Sequence, residues 1–187
     1  MSGGVRTTEK PAIRAVTGDD VAEIQGIYAY HVLHGTGTFE ESPPSAEEMS
    51  ERVRAVTGRG FAWLIAHDST GVLGYGYYVQ FRERTAYRYC AENSVYVRED
   101  VRGQGVGKAL VSALIAHATA NGFRQMIAVI GDSANVGSIG VHASVGFHHI
   151  GTMRAVGVKF GRWLDVVFMQ RALGMGDSDM PGASVRS

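Results

Sequence analysis

The chain has 187 residues, of which 45% are apolar, so it is long enough for one domain with a sizeable core. Its 18 basic and 18 acidic side chains give a formal net charge of zero. Nucleic acids and anionic membranes usually select proteins with a basic excess, so we expect neither as a partner. The single cysteine, Cys90, excludes an internal disulfide framework and multi-cysteine metal sites, and we expect no metal.

The two ends of the chain differ in composition from its body. Residues 1–11 are polar and lack the apolar run of a secretory signal, and no stretch approaches the roughly 20 apolar residues of a membrane span. The tail 175–187 is rich in Gly, Ser and Asp and shows no periodicity. We therefore predict two flexible ends around one domain at 12–174, in a cytoplasmic protein.

Apolar spacing in the first half of the chain predicts a strand, two helices and three further strands. The strand at 13–16 leads into a helix that ends at the glycine loop His34–Phe39. Ser45 and Glu48 then form the capping box of a second helix. The three strands are expected at 62–67, 72–80 and 87–97, and a turn at 69–71 joins the first two as a hairpin.

The second half of the chain alternates helices with strands. A helix begins at Gln104 or Gly105 and stops at the pair Asn121–Gly122. A buried strand is expected at 126–130 and another helix at about 135–145. Two last strands, separated by a turn at 161–162, are expected at 149–159 and 164–171. The complete order predicts an α/β (α+β) domain with a mixed, mostly antiparallel central sheet flanked by helices.

The segment Val95–Lys108 carries the most informative pattern. A β-branched strand runs through a short loop into a helix start that contains Gly103, Gly105 and Gly107. Glycines let a backbone approach a ligand closely, and the free amides and dipole of a first helical turn favour an anion such as a diphosphate. The spacing and position differ from the dinucleotide and nucleoside-triphosphate loops. A tight turn with glycines at its corners is the alternative that these residues alone leave open.

The spacing Arg102-x-x-Gly105-x-Gly107 resembles the acetyl-CoA motif R/Q-x-x-G-x-G/A of the GNAT superfamily of N-acetyltransferases. The resemblance extends over 13–173 and implies the GNAT fold, with acetyl-CoA as the acetyl donor. It also implies that strand main-chain groups pair with the pantetheine arm and that loop amides hold the pyrophosphate. The residues thereby expected to bind acetyl-CoA are Val95, Tyr96, Val97, Arg102, Gly103, Gln104, Gly105, Val106, Gly107, Lys108, Asn135 and Ser144.

Several stretches are similar to one branch of this superfamily, the phosphinothricin and methionine sulfoximine N-acetyltransferases. The longest is Gly157–Val166, and the others include Thr38–Glu41, Tyr87–Val97 and Gly131–Asn135. The branch acetylates the α-amino group of small glutamate-like amino acids. The resemblance therefore implies an anionic amino acid as the acceptor, and a homodimer.

Acetyl transfer needs a base for the amine and an acid for the departing thiolate. Glu92 is the candidate base because it lies on an apolar strand, where desolvation raises the pKa of a carboxyl group. An edge-strand glutamate, or an ion pair with Arg84 or Arg88, is the alternative. His142 stands five residues before Phe147, a position at which the resemblance implies the general acid. A helix histidine bonded to the backbone is its alternative.

The resemblance places the acceptor site at Arg82, Arg84 and Tyr87, with Phe39 as a wall. Guanidinium groups donate in a planar fork that suits carboxylate and phosphinate oxygens. A solvated charge cluster is the alternative at this point. Two other functions also stay open: the same transfer to another amine, such as another amino acid, a polyamine or a protein N-terminus, and a sensor that binds acetyl-CoA without catalysis.

Overall fold

The structure is a computed structural model that describes residues 11–182. Its strands are β1 Ala12–Ala15, β2 Trp63–Asp68, β3 Gly71–Gln80, β4 Cys90–Val97, β5 Gln125–Gly131, β6 His148–Lys159 and β7 Arg162–Ala172. Its α-helices are α1 Val21–His34, α2 Ala46–Thr57, α3 Val106–Ala120 and α4 Val136–Ser144. The strands and helices follow one another in the predicted order, and the predicted fold class is confirmed.

The strands form one mixed sheet in the order β1-β2-β3-β4-β5-β7-β6. Neighbouring strands are antiparallel except for β4 and β5, which are parallel. The parallel pairing covers only Cys90–Asn93 against Gln125–Ala128, although β4 continues to Val97 and β5 to Gly131. The two central strands therefore separate towards their carboxyl ends, and this opening positions the site.

Each face of the sheet has its own core, because successive strand residues point to opposite faces. Helices α1 and α2 cover one face, where Ile24, Met49 and Tyr75 are buried together. Helix α3 covers the other face and buries Val111 and Leu114. Burying one such aliphatic side chain contributes about 2 kcal/mol, so both helix layers are held mainly by apolar contacts.

Two predicted element boundaries were wrong. Strand β4 begins at Cys90 rather than at residue 87, because Thr85–Tyr87 forms a 3₁₀ helix. The last turn consists of Phe160 and Gly161 rather than residues 161–162, since Lys159 and Arg162 form the closing pair of β6 and β7. Both turn residues have positive φ, +52° and +71°, as a type I′ hairpin turn requires. A phenylalanine is uncommon in this conformation, so the sequence did not indicate the register.

The first part of the tail predicted to be flexible contacts the domain. The Asp179 carboxylate lies 3.0 Å from the Arg124 guanidinium, and the Gly176 N–H donates to the Leu173 carbonyl at 2.9 Å. Residues 1–10 and 183–187 lie outside the described residues. The flexibility of the two ends and the 12–174 domain boundaries therefore stay predictions.

Candidate active site

A cavity of about 870 Å³ opens where β4 and β5 separate. The ends of both strands, the N-terminal turns of α3 and α4 and the loop after α1 form its walls. Nearly all the residues predicted to bind the cofactor lie on these walls: Val95, Tyr96, Val97, Arg102, Gly103, Gly105, Val106, Gly107, Lys108, Asn135 and Ser144. The exception is Gln104, whose side-chain amide donates to the Asp100 carbonyl at 3.3 Å.

The N-terminus of α3 presents open space and free amides to this cavity. Gly105 is its N-cap with φ +84°, and Gly103 has φ +76°, a conformation that favours glycine. A Cβ atom on either glycine would meet nothing within 4 Å. The Ala109 N–H bonds to the Gly105 carbonyl, whereas the amides before it belong to the first turn, which lacks intrahelical acceptors. This geometry suits a diphosphate.

Asn135 is the N-cap of α4. Its side-chain oxygen accepts a hydrogen bond of 3.2 Å from the Ser138 N–H, as an N-cap residue does. The remaining amide nitrogen lies 3.5 Å from the Gly131 carbonyl, a distance too long for a strong hydrogen bond. That nitrogen is therefore available to a ligand in the cavity while the oxygen holds the helix.

His142 is a buried residue of α4 on the cavity wall, and its two ring nitrogens have different partners. Nδ1 lies 2.8 Å from the Ser138 carbonyl, and Nε2 lies 2.9 Å from the side-chain nitrogen of Asn93. Because a carbonyl only accepts and an amide nitrogen only donates, Nδ1 carries the hydrogen and Nε2 accepts. Burial lowers the pKa of His142, partly offset by the Ser138 carbonyl, so the ring is neutral.

Glu92 lies on the opposite face of the sheet from Asn93 and His142, since Glu92 and Asn93 are successive residues of β4. Its side chain is partly buried, and burial raises the pKa of its carboxyl group, while the positive charge of Arg82 lowers it. Among the described residues, neither Arg84 nor Arg88 forms an ion pair with Glu92. The ion-pair alternative thus receives no support there.

The residues predicted to bind the acceptor lie outside the cavity walls. Arg82, Arg84 and Tyr87 are exposed in the connection between β3 and β4, and the Arg82 guanidinium lies 4.9 Å from the centre of the Phe81 ring. Phe39 packs against the glycines of two strands, because a Cβ atom on Gly131 or Gly157 would overlap it. His142 therefore lies with the residues predicted to bind the cofactor, whereas Glu92 lies outside the cavity walls and within the electrostatic influence of Arg82.

Sequence reasoning missed several polar residues of the cavity wall, and Asp132 is the most connected of them. It lies after β5 with φ +68° and accepts hydrogen bonds from Thr36 (2.7 Å), Ala134 (3.0 Å) and Arg162 (2.8 Å). Burial would raise the pKa of Asp132, but these donors lower it below its ordinary value. Asp132 thereby joins the loop after α1, the start of α4 and the β6–β7 hairpin.

His31 and Asn93 are two further wall residues that the sequence did not indicate. The His31 Nε2 lies 3.0 Å from the Val97 carbonyl and so connects α1 to the end of β4. The contact of His31 with Val97 and that of Asn93 with His142 each join residues far apart in the chain, and no local sequence pattern signals them. Across residues 11–182, no group of three His, Cys, Asp or Glu side chains is placed to hold a metal, and no helix is long and apolar enough to cross a membrane.

Comparison with known proteins gives close matches over most of the chain. The acetyltransferase (GNAT) domain family matches residues 13–168. The chain is 46% identical to a phosphinothricin N-acetyltransferase of Alcaligenes faecalis over 90% of this chain and 86% of the relative. It is 42% identical to an L-methionine sulfoximine/L-methionine sulfone acetyltransferase of Pseudomonas paraeruginosa over 80% of this chain and 89% of the relative.

The crystal structure of a phosphinothricin acetyltransferase from Sinorhizobium meliloti, in complex with acetyl-CoA, has a similar fold. It superposes with a TM-score of 0.91 at 46% identity, and the match covers 95% of this chain and 96% of that chain.

Proposed function

We propose that this chain, which belongs to the GNAT family of acetyltransferases, acetylates the α-amino group of small glutamate-like amino acids. Phosphinothricin, methionine sulfoximine and methionine sulfone are examples of such acceptors. The family and the donor predicted from the sequence are confirmed: the chain is an N-acetyltransferase that depends on acetyl-CoA. The choice of acceptor rests on one arrangement. Glu92, on which the charge of Arg82 acts, lies on the opposite face of the sheet from His142, one residue before β4 and β5 separate, so that a donor and an anionic acceptor can meet at this point.

In this proposal the cavity walls hold the acetyl donor. Main-chain groups of Val95–Val97 lie beyond the last β4–β5 pair. Apart from the Val97 carbonyl, which contacts His31, this edge of β4 is open to the amides of the pantetheine arm. The first-turn amides of Gly103–Lys108 receive the diphosphate, and Asn135 and Ser144 add polar contacts from α4. Bound acetyl-CoA supplies the thioester carbonyl that the amine attacks.

Glu92 takes the proton that the acceptor's amino group must lose. Its partly buried carboxylate has a raised pKa, which brings its basicity closer to that needed at neutral pH. Arg82 and Arg84, with Tyr87, bind the anionic groups of the acceptor, and Phe39 forms a wall of its pocket. His142 is the acid for the departing thiolate; since its Nε2 carries no hydrogen at rest, it can serve only after Nε2 has gained a proton.

We also propose that two copies associate through the outer strand of the sheet. Strand β6 is the last strand in the sheet order, so one of its edges has no strand partner among the described residues. Strand β6 exposes Ile150, Met153, Val156 and Val158, and Trp163 of β7, the partner of Val158, is also exposed. An apolar edge strand is complementary to a second copy of itself in antiparallel pairing. The proposal also places the protein in the cytoplasm.

Sedimentation velocity tests the dimer. Val156→Lys should shift the protein towards monomer, because it places a charge in the apolar face. Leu33→Lys is the matched control, since Leu33 is equally exposed but lies on α1. A single monomeric species for the unaltered chain, or equal sedimentation of the two variants and that chain, would contradict the proposed interface.

Release of the free CoA thiol tests the proposed acceptor. Acetyl-CoA is supplied with phosphinothricin, methionine sulfoximine, methionine sulfone, ordinary amino acids, spermidine or a short peptide. We expect turnover with the first three, and a raised KM for them in Arg82→Gln but not in Arg59→Gln, which removes another exposed arginine. Turnover confined to the other amines would show that the acceptor is not a glutamate-like amino acid, while the acetyl transfer itself would stand. Binding of acetyl-CoA without any turnover would favour the sensor.

A further inference from the structure

Asn93 is a buried amide whose oxygen has no hydrogen-bond partner. The residue is 4% exposed, lies on the cavity wall and donates from its nitrogen to Nε2 of His142 at 2.9 Å. A buried acceptor without a partner costs about 1–3 kcal/mol, and an apolar side chain of similar size would avoid this cost. The unsatisfied oxygen of an amide that contacts the imidazole therefore indicates a role that stability alone does not explain.

The partners of His142 make the orientation of this amide informative. The Ser138 carbonyl keeps a hydrogen on Nδ1 in every protonation state, because it can only accept. With the amide as described, its nitrogen donates to Nε2, which fixes the neutral Nδ1–H tautomer. A half-turn of the amide exchanges its oxygen and nitrogen, so the oxygen faces Nε2. This second orientation requires a hydrogen on Nε2 and therefore belongs to the imidazolium.

We propose that Asn93 is a positioning residue that stabilises both protonation states of His142 by turning its amide. In the resting state it donates to Nε2; when Nε2 takes up a proton, the amide turns, and its oxygen accepts from the new N–H. The ring gains one proton and one positive charge, and only the amide orientation changes with it. The oxygen without a partner is then the acceptor that holds the Nε2 hydrogen in the charged state, until that proton passes to the departing thiolate.

Among the described groups around His142, only Asn93 can offer an acceptor to a hydrogen on Nε2. Its own helix contributes the Ser138 carbonyl and hydroxyl, the latter 3.5 Å from Nδ1, and the Phe147 ring packs edge-on with its centre 5.1 Å away. All these groups are neutral. Among the described residues, no charged side chain contributes to the pKa shift of His142. Without an acceptor at Nε2, burial alone would oppose the charged form.

Nitrogen-15 NMR of the imidazole groups, followed over a pH titration, tests this inference in the full chain without acetyl-CoA. His142→Asn assigns the signal among the seven histidines. We expect the Nδ1–H tautomer in the unaltered protein. In Asn93→Asp a carboxylate accepts from Nε2–H, so the proton affinity of His142 should rise at least about tenfold, equal to about one pKa unit. Asn93→Leu offers no acceptor and should lower that affinity.

A matched control lies elsewhere in the fold, because the side-chain nitrogen of Asn121 contacts Nδ1 of His117 at 3.1 Å. Asn121→Asp should leave the titration of His142 unchanged. An Nε2–H tautomer in the unaltered protein, or one pKa shared by that protein and Asn93→Asp, would overturn the inference. Asn93→Asp is nearly isosteric and carries the test if Asn93→Leu does not fold.

The inference rests on the proposed catalytic role of His142, but the two fail in different ways. If no amine is acetylated, the proposed function is contradicted, but the NMR titration still tests the contact between Asn93 and His142. If acetyl transfer occurs but Asn93→Asp changes neither the tautomer nor the pKa, the function stands and the role of Asn93 falls. In an active enzyme, the pH profile of kcat in Asn93→Asp should move with the measured pKa.

Discussion

The ammonium group of Lys159 donates a hydrogen bond of 2.9 Å to the main-chain carbonyl of Thr38 and a second, of 3.0 Å, to that of Gly35. Lys159 ends β6 and is only 2% exposed, and burial lowers the pKa of its ammonium. Two carbonyls of the glycine loop after α1 are thereby attached to the β6–β7 hairpin. Since this loop lines the cavity and precedes Phe39, Lys159 holds the proposed acceptor pocket in shape.

Lys159→Met should loosen this loop, which borders both the cavity and Phe39. Two carbonyls, of which that of Thr38 is buried, would lose their donor, which lowers the free energy of unfolding by about 2 kcal/mol. We expect the KM for the acceptor to rise about tenfold, equivalent to roughly 1.4 kcal/mol of binding. Urea denaturation and steady-state kinetics measure both effects. Lys159→Arg should restore part of each, and Arg154→Met, which removes an exposed cation from the same strand, should change neither.

Glu92→Gln should lower kcat at least about tenfold, the small end of the range for losing a general base. The affinity for acetyl-CoA, measured by calorimetry, should stay unchanged, since Glu92 lies outside the cavity walls. Because the pKa of Glu92 is raised, the acidic limb of the rate profile should lie above the ordinary glutamate pKa and disappear in Glu92→Gln. Turnover equal to that of the unaltered enzyme would discard Glu92 as the base.

The same substitution should change stability with a definite sign. A carboxyl group with a raised folded pKa contributes stability below its unfolded pKa of 4.5 and loses it as pH rises through the folded pKa. At neutral pH the ionised Glu92 is therefore a cost that Glu92→Gln removes. We expect a higher melting temperature for Glu92→Gln at neutral pH and a smaller difference in mild acid. A lower melting temperature at neutral pH would contradict this.

Gly157→Ala should displace Phe39 from its place against β6. A Cβ atom at residue 157 would lie 2.3 Å from a ring carbon of Phe39, so the ring must move. The KM for the acceptor should then rise about tenfold, roughly 1.4 kcal/mol, while the KM for acetyl-CoA stays the same. Gly151→Ala lies on the same strand, where a Cβ atom meets nothing within 4 Å, and should leave both constants unchanged. Equal kinetic constants for the two variants would mean that Phe39 does not form part of the acceptor pocket.

The sequence predicted those elements whose start or end depends on residues close together in the chain. The Ser45–Glu48 capping box forms as expected, with hydrogen bonds of 3.1 and 2.6 Å in the two directions. The glycine loop likewise leads into α3 at Gly105, because left-handed backbone and an open helix start need no distant partner. These signals, with the family resemblance, were sufficient for the fold and for bringing most of the predicted cofactor residues to one cavity.

The missed parts of the site depend on contacts between residues distant in the chain. Asn93 meets His142 across 49 residues, and Asp132 meets Thr36 across 96. Such pairs arise only when β4 packs against α4 and the loop after α1 crosses β5, and neither event leaves a spacing pattern. The Phe160–Gly161 turn was missed for a different reason, since its register rests on a positive φ that phenylalanine seldom adopts.

Gly105→Asp should abolish binding of acetyl-CoA, and Gly105→Asn separates the two causes of that loss. Residue 105 has φ +84°, which asparagine and aspartate tolerate to a similar degree, and neither side chain meets an atom within 4 Å at Cβ. The two variants should therefore have similar melting temperatures, and only Gly105→Asp places a negative charge where the helix dipole favours a diphosphate. We expect calorimetry to show Gly105→Asn binding at least about tenfold more tightly than Gly105→Asp, a difference of roughly 1.4 kcal/mol. Equal affinities would mean that bulk rather than charge governs the loop, and intact binding in both would mean that the diphosphate lies elsewhere.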